Sequence, residues 1–414
     1  MSLLLGAIAD DFTGATDLAG TLTRQGMKVL QIIGLPDDGT ETGDAEAVVV
    51  ALKSRTIAPS EAVRQSLSAQ TWLRARGVRQ TIFKHCSTFD STAQGNIGPV
   101  ADALLAATGA DFSLVCPALP ANGRTVYQGV LFVGDEPLAE SPMKDHPLTP
   151  MRDSSLIRLL EAQSRHRAGL IRLQTVRAGA AAVRARIEAL KAMGLRYGVA
   201  DAIEDGDLHV LARAIRDHPL VIGGSGVALG LPAEYGMADR TAAPVLPAAR
   251  GRALILAGSC STATRQQTAR AAALWPARKL TADAATASHA ARELADWAAA
   301  QPAAAPVMIY SSADPQEVAA MQARYGRAEA GALIERILGD VARDLHRRGF
   351  NRIVVAGGET SGAVLSALGV TAIRIGPEIA PGVPWCAAPG LAIALKSGNF
   401  GGPDFFSDAL GMLE

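Results

Sequence analysis

Short apolar, β-branched runs alternate along the chain with longer stretches whose apolar residues recur at helical spacing. LLLGAIAD precedes a helical stretch from about Thr13 to Gln25, and KVLQIIG follows as a strand. AEAVVVAL, the helix SEAVRQSLSAQTWLRARG and the strand QTIFKHCS repeat the pattern. NIGPVADALLAATG then leads into FSLVCPALP. Strand–helix–strand alternation of this kind predicts parallel sheets with helices on both faces. RTVYQGVLFVG breaks the rhythm, and its alternation and glycines predict an inserted hairpin. Alternation resumes with LIRLQTV as a strand, a helix near 180–193, YGVADAI, a helix near 207–217, and LVIGGSG. The GGSG at 223–226 reads as an interdomain turn or a substrate-side loop.

Residues 241–251, TAAPVLPAARG, carry two prolines and no periodicity, and read as a linker. A second unit starts with RALILAGSCS and continues through VMIYSSAD, a helix near 328–348, RIVVAGGETSG and LAIALKSGNFGG. The Ala-rich stretch 283–305 carries Glu293, Asp296 and Trp297 at helical spacing and reads as helix. The expected fold class is α/β: a domain over 1–240, the linker, and a domain over 252–414. Each has a mainly parallel sheet flanked by helices, with a substrate/nucleotide cleft separating them.

Composition narrows the function. With 414 residues there is room for two or three domains with full-sized cores. Lys+Arg and Asp+Glu are both 40, so no basic excess points to nucleic acid or a membrane surface. No apolar run reaches the ~18–20 residues of a transmembrane helix, and MSLLLGAIADDF lacks a basic leader. Cys86, Cys116, Cys260 and Cys386 form no CxxC pair, so a reduced, cytoplasmic protein is expected. The seven histidines are scattered, so metal ligands stay unassigned.

Four groups of residues carry candidate chemistry. In ADDFTGATD, Asp10 and Asp11 end a buried strand just before a helix, where open α/β sheets bind ligands. One of the two would serve as a base; alternatively Asp11 or Thr13 simply caps the helix. In KHCSTFDSTAQGN, Lys84 would pair with a carboxylate. The hydroxyls of Ser87, Thr88, Ser91 and Thr92, in one loop with Asp90 and Asn96, would bond the oxygens of a small polyhydroxylated acid; alternatively this is a polar loop of Ser/Thr turns and a capped helix. His85 and Cys86 point to opposite sides of a strand, which disfavours covalent catalysis. In PALPANGRTVYQG, Arg124 is either an anion clamp or part of a tight Asn-Gly turn. Downstream, AGSCS, AGGETSG and KSGNFGG are three glycine-rich loops, each after an apolar strand, and together they suggest a nucleotide. GGETSG lacks both a Walker A ending and the G-x-G-x-x-G spacing. Glu378 about 20 residues on keeps a NAD(P)-dependent dehydrogenase in view, although it follows Gly376-Pro377, which reads as a turn. A non-catalytic sugar-acid sensor is a further alternative.

ADDFTGATD, KHCSTFDST, NGRTVYQG, the 257–261 loop, GGETSG and SGNFGGPDFF together resemble the four-carbon acid sugar kinases, in order and over nearly the whole chain. The resemblance implies an N-terminal domain that binds the acid sugar, a C-terminal domain that binds ATP, and phosphorylation of the terminal C4 hydroxyl. Threonate- and erythronate-type members carry Lys-x-Asp-Ser-Thr-Leu-Arg-Gly. This chain has Cys86 at that Asp and Asp90 at that Arg, and with HPLTPM it looks like the 3-oxo-tetronate (3-dehydrotetronate) 4-kinase branch. Lys84 or Arg124 would then take the arginine's role. D-Threonate or D-erythronate 4-kinases are the alternatives within the family. The implied sites are Asp11 or Asp10 as base, and Thr13, Lys84, Ser87, Asp90 and Arg124 at the acid sugar. Ser259, Gly357, Gly358, Glu359, Thr360, Ser361, Gly362, Gly401 and Gly402 would hold ATP. Mg²⁺ is inferred to accompany ATP, and a homo-oligomer is possible.

Overall fold

The computed structural model describes residues 3–145, 149–237, 240, 249–281, 289–313, 317, 320, 323–324 and 326–413. Two compact units emerge, Met1–Ala243 and Pro244–Glu414. Residues 241–248 of the expected linker, residues 146–148 of HPLTPM, and 283–288 of the Ala-rich stretch lie outside the described residues.

The first unit is built on eight strands. They are β1 (Leu5–Ala9), β2 (Val29–Ile33), β3 (Ala47–Ala51), β4 (Gln80–Lys84), β5 (Ser113–Cys116), β9 (Ala168–Ile171), β10 (Tyr197–Ala200) and β11 (Leu220–Gly223). Their order across the sheet is β2-β3-β1-β4-β11-β5-β10-β9, and every pairing is parallel. Strands such as LGAIA and AVVVA are buried throughout, as expected where helices cover both faces of a strand. The chain runs from β1 to the edge strand β2, returns to β3 beside β1, and crosses to β4 on β1's other side. The order therefore reverses between β1 and β4, which is where open sheets leave a crevice beyond their carboxyl ends. Register brings those ends level, because Ala9 faces both Ala51 and Lys84. Residues 10–11, 54–55 and 84 thus leave three adjacent strands at one height.

The expected hairpin is present as β6 (Arg124–Tyr127) and β7 (Val130–Val133), extended by the short β8 (Glu136–Pro137). Two local readings change. LIRLQTV is not one strand: β9 stops at Ile171 and a short helix spans Leu173–Arg177. The fully buried Asp201 carboxylate accepts the Leu173 N–H at 3.0 Å and so anchors that helix start. GGSG is a buried turn within the first unit, where Ser225 Oγ donates to Asp17 Oδ2 at 2.5 Å.

The second unit repeats the switch. Its strands are β12 (Arg252–Ala257), β13 (Ala277–Lys279), β14 (Val307–Tyr310), β15 (Phe350–Ala356), β16 (Ala372–Ala380), β17 (Val383–Ala388) and β18 (Leu391–Lys396). The order is β13-β14-β12-β15-β18-β17-β16. Pairings are parallel from β13 to β18, and β17 is antiparallel to both β18 and β16. Reversal falls between β12 and β15, as it does between β1 and β4. Helices follow the first two glycine-rich loops, at Thr262–Leu274 and Gly358–Leu368. Gly376-Pro377 is not a turn; it lies inside β16, at an irregularity in register. Glu378 accepts the Gly382 N–H at 2.7 Å there, bracing the β16–β17 turn. That is not the ribose-binding strand end that a dinucleotide site needs.

Candidate functional site

In the first unit the polar centre is an arginine that the sequence motifs did not flag. Arg55 follows β3, and its guanidinium grips Asp10 in bidentate fashion, with Nε donating to Oδ2 at 3.0 Å and Nη2 to Oδ1 at 2.7 Å. Nη2 also lies 2.8 Å from Asp11 Oδ1, and Nη1 is 3.9 Å from Asp90 Oδ2. The backbone enforces the meeting. Asp10 N–H donates to Lys84 O, and Ser54 and Arg55 N–H both donate to Asp10 O. Asn96, buried at the start of the helix Ile97–Thr108, locks the 54–57 loop by donating to Ser54 O at 2.7 Å and Ile57 O at 2.9 Å.

The two aspartates do different work. Asp11 is the N-cap of the helix Phe12–Arg24, accepting from Gly14 N at 2.9 Å and Thr13 Oγ1 at 2.8 Å. Burial pushes its carboxyl up, but Arg55, Lys84 and the cap bonds outweigh this and hold it below the ordinary value. At Asp10 burial wins over Arg55, and the carboxyl sits above the ordinary value. Lys84 is buried and donates to His85 O at 2.9 Å, and a Cβ on Gly14 would collide with Asp11 Oδ1 and press on the Lys84 ammonium.

The loop after β4 turns back through Phe89, fully buried at φ +50, a strained backbone for a bulky residue. This places Asp90 to accept from Thr88 Oγ1 at 2.6 Å while facing Arg55. Ser87 lies half-buried in the same loop. Burial drives His85 down to about 3 and Cys86 up to about 12, so neither is ionised near neutrality. Of the two expectations for ADDFTGATD, the cap is present at Asp11, and it lies within a carboxylate cluster with two cations.

Arg124 opens β6 directly after Gly123, whose φ of +68 makes the tight turn. Its Nη1 donates to Asn122 O, and its buried Nε has no partner among the described residues. None of its described bonds reaches the Asp10–Lys84 cluster.

The second unit brings all three glycine-rich loops together. Gly258 and Ser259 N–H both donate to Ala356 O, and Gly357 N–H donates to Lys396 O at 2.8 Å. A Cβ on Gly258 would collide with Thr360 Oγ1, and one on Gly398 with Ser259 Oγ, so the loops touch through their glycines. The helix after Ser261 staples the third loop with residues one turn apart on a single face. Ser261 Oγ and Thr264 Oγ1 donate to Gly398 O at 2.5 and 2.8 Å, and Gln267 Nε2 donates to Gly401 O at 3.0 Å and Gly402 O at 2.9 Å. Ser312 braces the first loop by donating to Ser259 O at 2.7 Å.

Ser259, Gly357, Gly358, Thr360 and Gly401 lie in this cluster, with Glu359 half-buried in the first turn of the helix Gly358–Leu368. That helix has no side-chain cap at Gly357, which leaves its first N–H groups for an anion. Ser361 and Gly362 are buried inside it, and Ser361 Oγ donates to Gly357 O, so these two support the loop from within. Ser261, Thr264, Gln267 and Lys396 were missed, although their spacing from the glycines was visible. Among the described residues no group of three His, Cys, Asp or Glu side chains forms a metal cage, and no helix is long and apolar enough to cross a membrane.

Family models match both units: a sugar-binding N-terminal domain over residues 5–231 and a nucleotide-binding C-terminal domain over 254–406. The chain is 54% identical to a 3-oxo-tetronate kinase of Cupriavidus necator, over 99% of this chain and 97% of the relative. It belongs to the 3-oxo-tetronate kinase family. A second kinase of that name, from Burkholderia multivorans, is 52% identical over 99% of this chain and 97% of its own. A solved structure from Salmonella typhimurium LT2, described as a tRNA synthase, superposes with a TM-score of 0.88 at 46% identity, covering 99% of each chain. In this kinase the Asp10–Arg55–Lys84 cluster falls within the sugar-binding match and all three glycine-rich loops fall within the nucleotide-binding match.

Gly258→Ala tests the loop contact. Thr360 is β-branched, so rotating it brings its methyl into the same space. The first loop must shift, and KM for ATP should rise about 10-fold or more while KM for the acid sugar stays within about twofold. An unchanged ATP KM would show that the loops tolerate separation.

Proposed function

We propose that this protein transfers the γ-phosphoryl group of ATP to the C4 hydroxyl of 3-oxo-tetronate, giving 3-oxo-tetronate 4-phosphate and ADP. The observation that carries the reading is full-length identity above 50% to kinases of that name. Two polar centres, each at a sheet switch point within its own unit, support it physically.

In this reading the acid sugar takes the first unit. Asp11 is its base: its side chain is 18% exposed against 7% for Asp10, and its low pKa keeps it ionised at neutral pH. Asp10 holds Arg55. Lys84 and Arg124 receive the carboxylate, and Thr13, Ser87 and Asp90 meet the remaining oxygens. ATP takes the loops of the second unit, with the backbone N–H groups of Gly358–Thr360 and Gly401–Gly402 around its phosphates, while Ser259 and Gly357, whose N–H groups are spent on Ala356 O and Lys396 O, shape the loops. Mg²⁺ accompanies the nucleotide as part of that substrate, bridging and neutralising its phosphates. Phosphoryl transfer depends mostly on positioning and charge neutralisation, so a weakly basic but well-placed carboxylate suffices.

The deciding experiment is a coupled ADP-release assay across 3-oxo-tetronates, threonates and erythronates. A higher kcat/KM for 3-oxo-tetronate is expected. Preference for a threonate or erythronate would overturn the substrate assignment. ATP-independent turnover with NAD(P) would overturn the kinase reading.

Arg124→Ala should lower kcat/KM for the acid sugar about 10–100-fold, the loss of a charge-assisted bond worth ~1.5–3 kcal/mol. Its unpartnered Nε motivates the role. A large fall in Tm with unchanged kinetics would make Arg124 a turn residue only.

A further inference from the structure

Lys396 ends β18 with no exposed surface. Its Nζ donates to Thr264 Oγ1 at 3.0 Å, Ser397 O at 2.9 Å and Gly398 O at 2.9 Å. Three acceptors match the three N–H bonds of an ammonium. A neutral amine has only two and would draw the Thr264 O–H onto its lone pair and away from Gly398 O, so the Thr264–Gly398 bond goes with the charged form.

Among the described residues that charge has no counter-ion. Charged or titratable groups on the surrounding elements are Arg265 and Arg270 on the helix Thr262–Leu274, Arg352 on β15, Cys386 on β17, Glu359 on the helix Gly358–Leu368, Asp404 ahead of the last helix, and the exposed Asp408 on that helix. Asp404 is paired to Arg270 at 2.7 Å, and Phe405 presents its ring 5.9 Å from the ammonium. Burial alone moves Lys396, down to about 7 from the usual lysine range. A buried ammonium bonded to loop carbonyls, among glycine-rich loops and without a carboxylate, lacks an anion.

We propose that Lys396 is the positioning cation of the nucleotide site, holding the 397–402 loop in its binding form, and that a bound nucleotide polyphosphate supplies the missing negative charge and draws a proton onto it. The inference rests on reading the second unit as the ATP site. Lys396 acts through Gly398 and Thr264, and no contact with the nucleotide is required. In the free protein near neutrality a fraction of molecules carries the neutral amine and holds the loop with one bond fewer. Polyphosphate nearby favours the ammonium, so binding and protonation reinforce each other.

The test is calorimetric titration of the full-length protein with Mg–ADP and Mg–ATP, in buffers of different ionisation enthalpy. Because burial lowers Lys396 from the usual lysine range, binding should take up a fraction of a proton at pH 7 and more at pH 8. Lys396→Met should abolish the uptake and weaken nucleotide binding about 10–100-fold, with KM for the acid sugar within about twofold. Lys396→Arg keeps the charge and should recover most of the affinity. Nucleotide binding without proton uptake at pH 8, or wild-type affinity in Lys396→Met, would overturn the inference while leaving the ATP site standing. Failure of the wild type to bind any nucleotide would overturn both. If Lys396→Met does not fold, the wild-type uptake alone decides.

Discussion

Asp11→Asn should lose about 10²–10⁴ in kcat, the usual consequence of removing a general base, while binding both substrates. Its Tm should stay within a few degrees, because an asparagine side chain still accepts the Gly14 N–H and caps the helix about as well as aspartate. Asp10→Asn should behave in the opposite sense. Asp10 is nearly inaccessible and both its oxygens are taken by Arg55. Neutralising it leaves a buried guanidinium short of one counter-charge, at a cost of up to ~3 kcal/mol, since Asp11 still faces Arg55. Stability should fall, and kcat should stay within about tenfold. The measurements are steady-state kcat and thermal unfolding of the two variants side by side. If both keep kcat within about threefold of wild type, the base lies elsewhere, with Asp90 the next carboxylate in the cluster, and ADDFTGATD is a cap and an ion-pair anchor.

The contrast between these aspartates shows where the amino-acid sequence runs out. An apolar run ending in Asp-Asp, then Thr-Gly, was enough to place both residues at a strand end before a helix. Which one faces inward depends on register, and register depends on β3 and β4, strands remote in sequence. For the same reason Arg55 was passed over. In KSRTIAPS it reads as part of an ordinary polar loop, and its importance arises only because β3 pairs with β1 and brings it level with Asp10. The glycine-rich loops were legible because glycine after an apolar strand has a local meaning. Lys396 opens KSGNFGG, where the glycines carry the local signal and the lysine carries none. Its burial follows from β18 lying between β15 and β17, an order no local pattern encodes. LIRLQTV misled because apolar spacing in seven residues does not separate a strand from a strand followed by one helical turn.

Arg55→Ala is expected to be the most damaging single change in the first unit. The guanidinium sits among three carboxylates, two at 2.7–2.8 Å and Asp90 at 3.9 Å, with its side chain 21% exposed. Removing it leaves Asp10, Asp11 and Asp90 facing one another with Lys84 as the remaining nearby cation. Breaking a buried ionic cluster by deleting one partner costs ~3–5 kcal/mol, or roughly 6–20 °C in Tm for a unit of this size. The pH dependence gives a sharper sign. Arg55 stabilises the ionised carboxylates, and Asp11 lies below its ordinary value partly for that reason. In the wild type, the stability this contributes is present above the unfolded carboxyl range and is lost as pH falls through the lower folded value. Without Arg55 the protonated carboxyl is favoured, so the acid limb of kcat/KM should move upward by ~1–3 pH units. Arg55→Lys restores a charge but not the fork that holds both oxygens of Asp10, so it should recover part of the acid-limb position and little of the Tm. A merely structural arginine would lower Tm in both variants and leave the acid limb of the surviving activity where it was. That outcome would detach Arg55 from the ionisation of Asp11 and with it the reason for placing the base there.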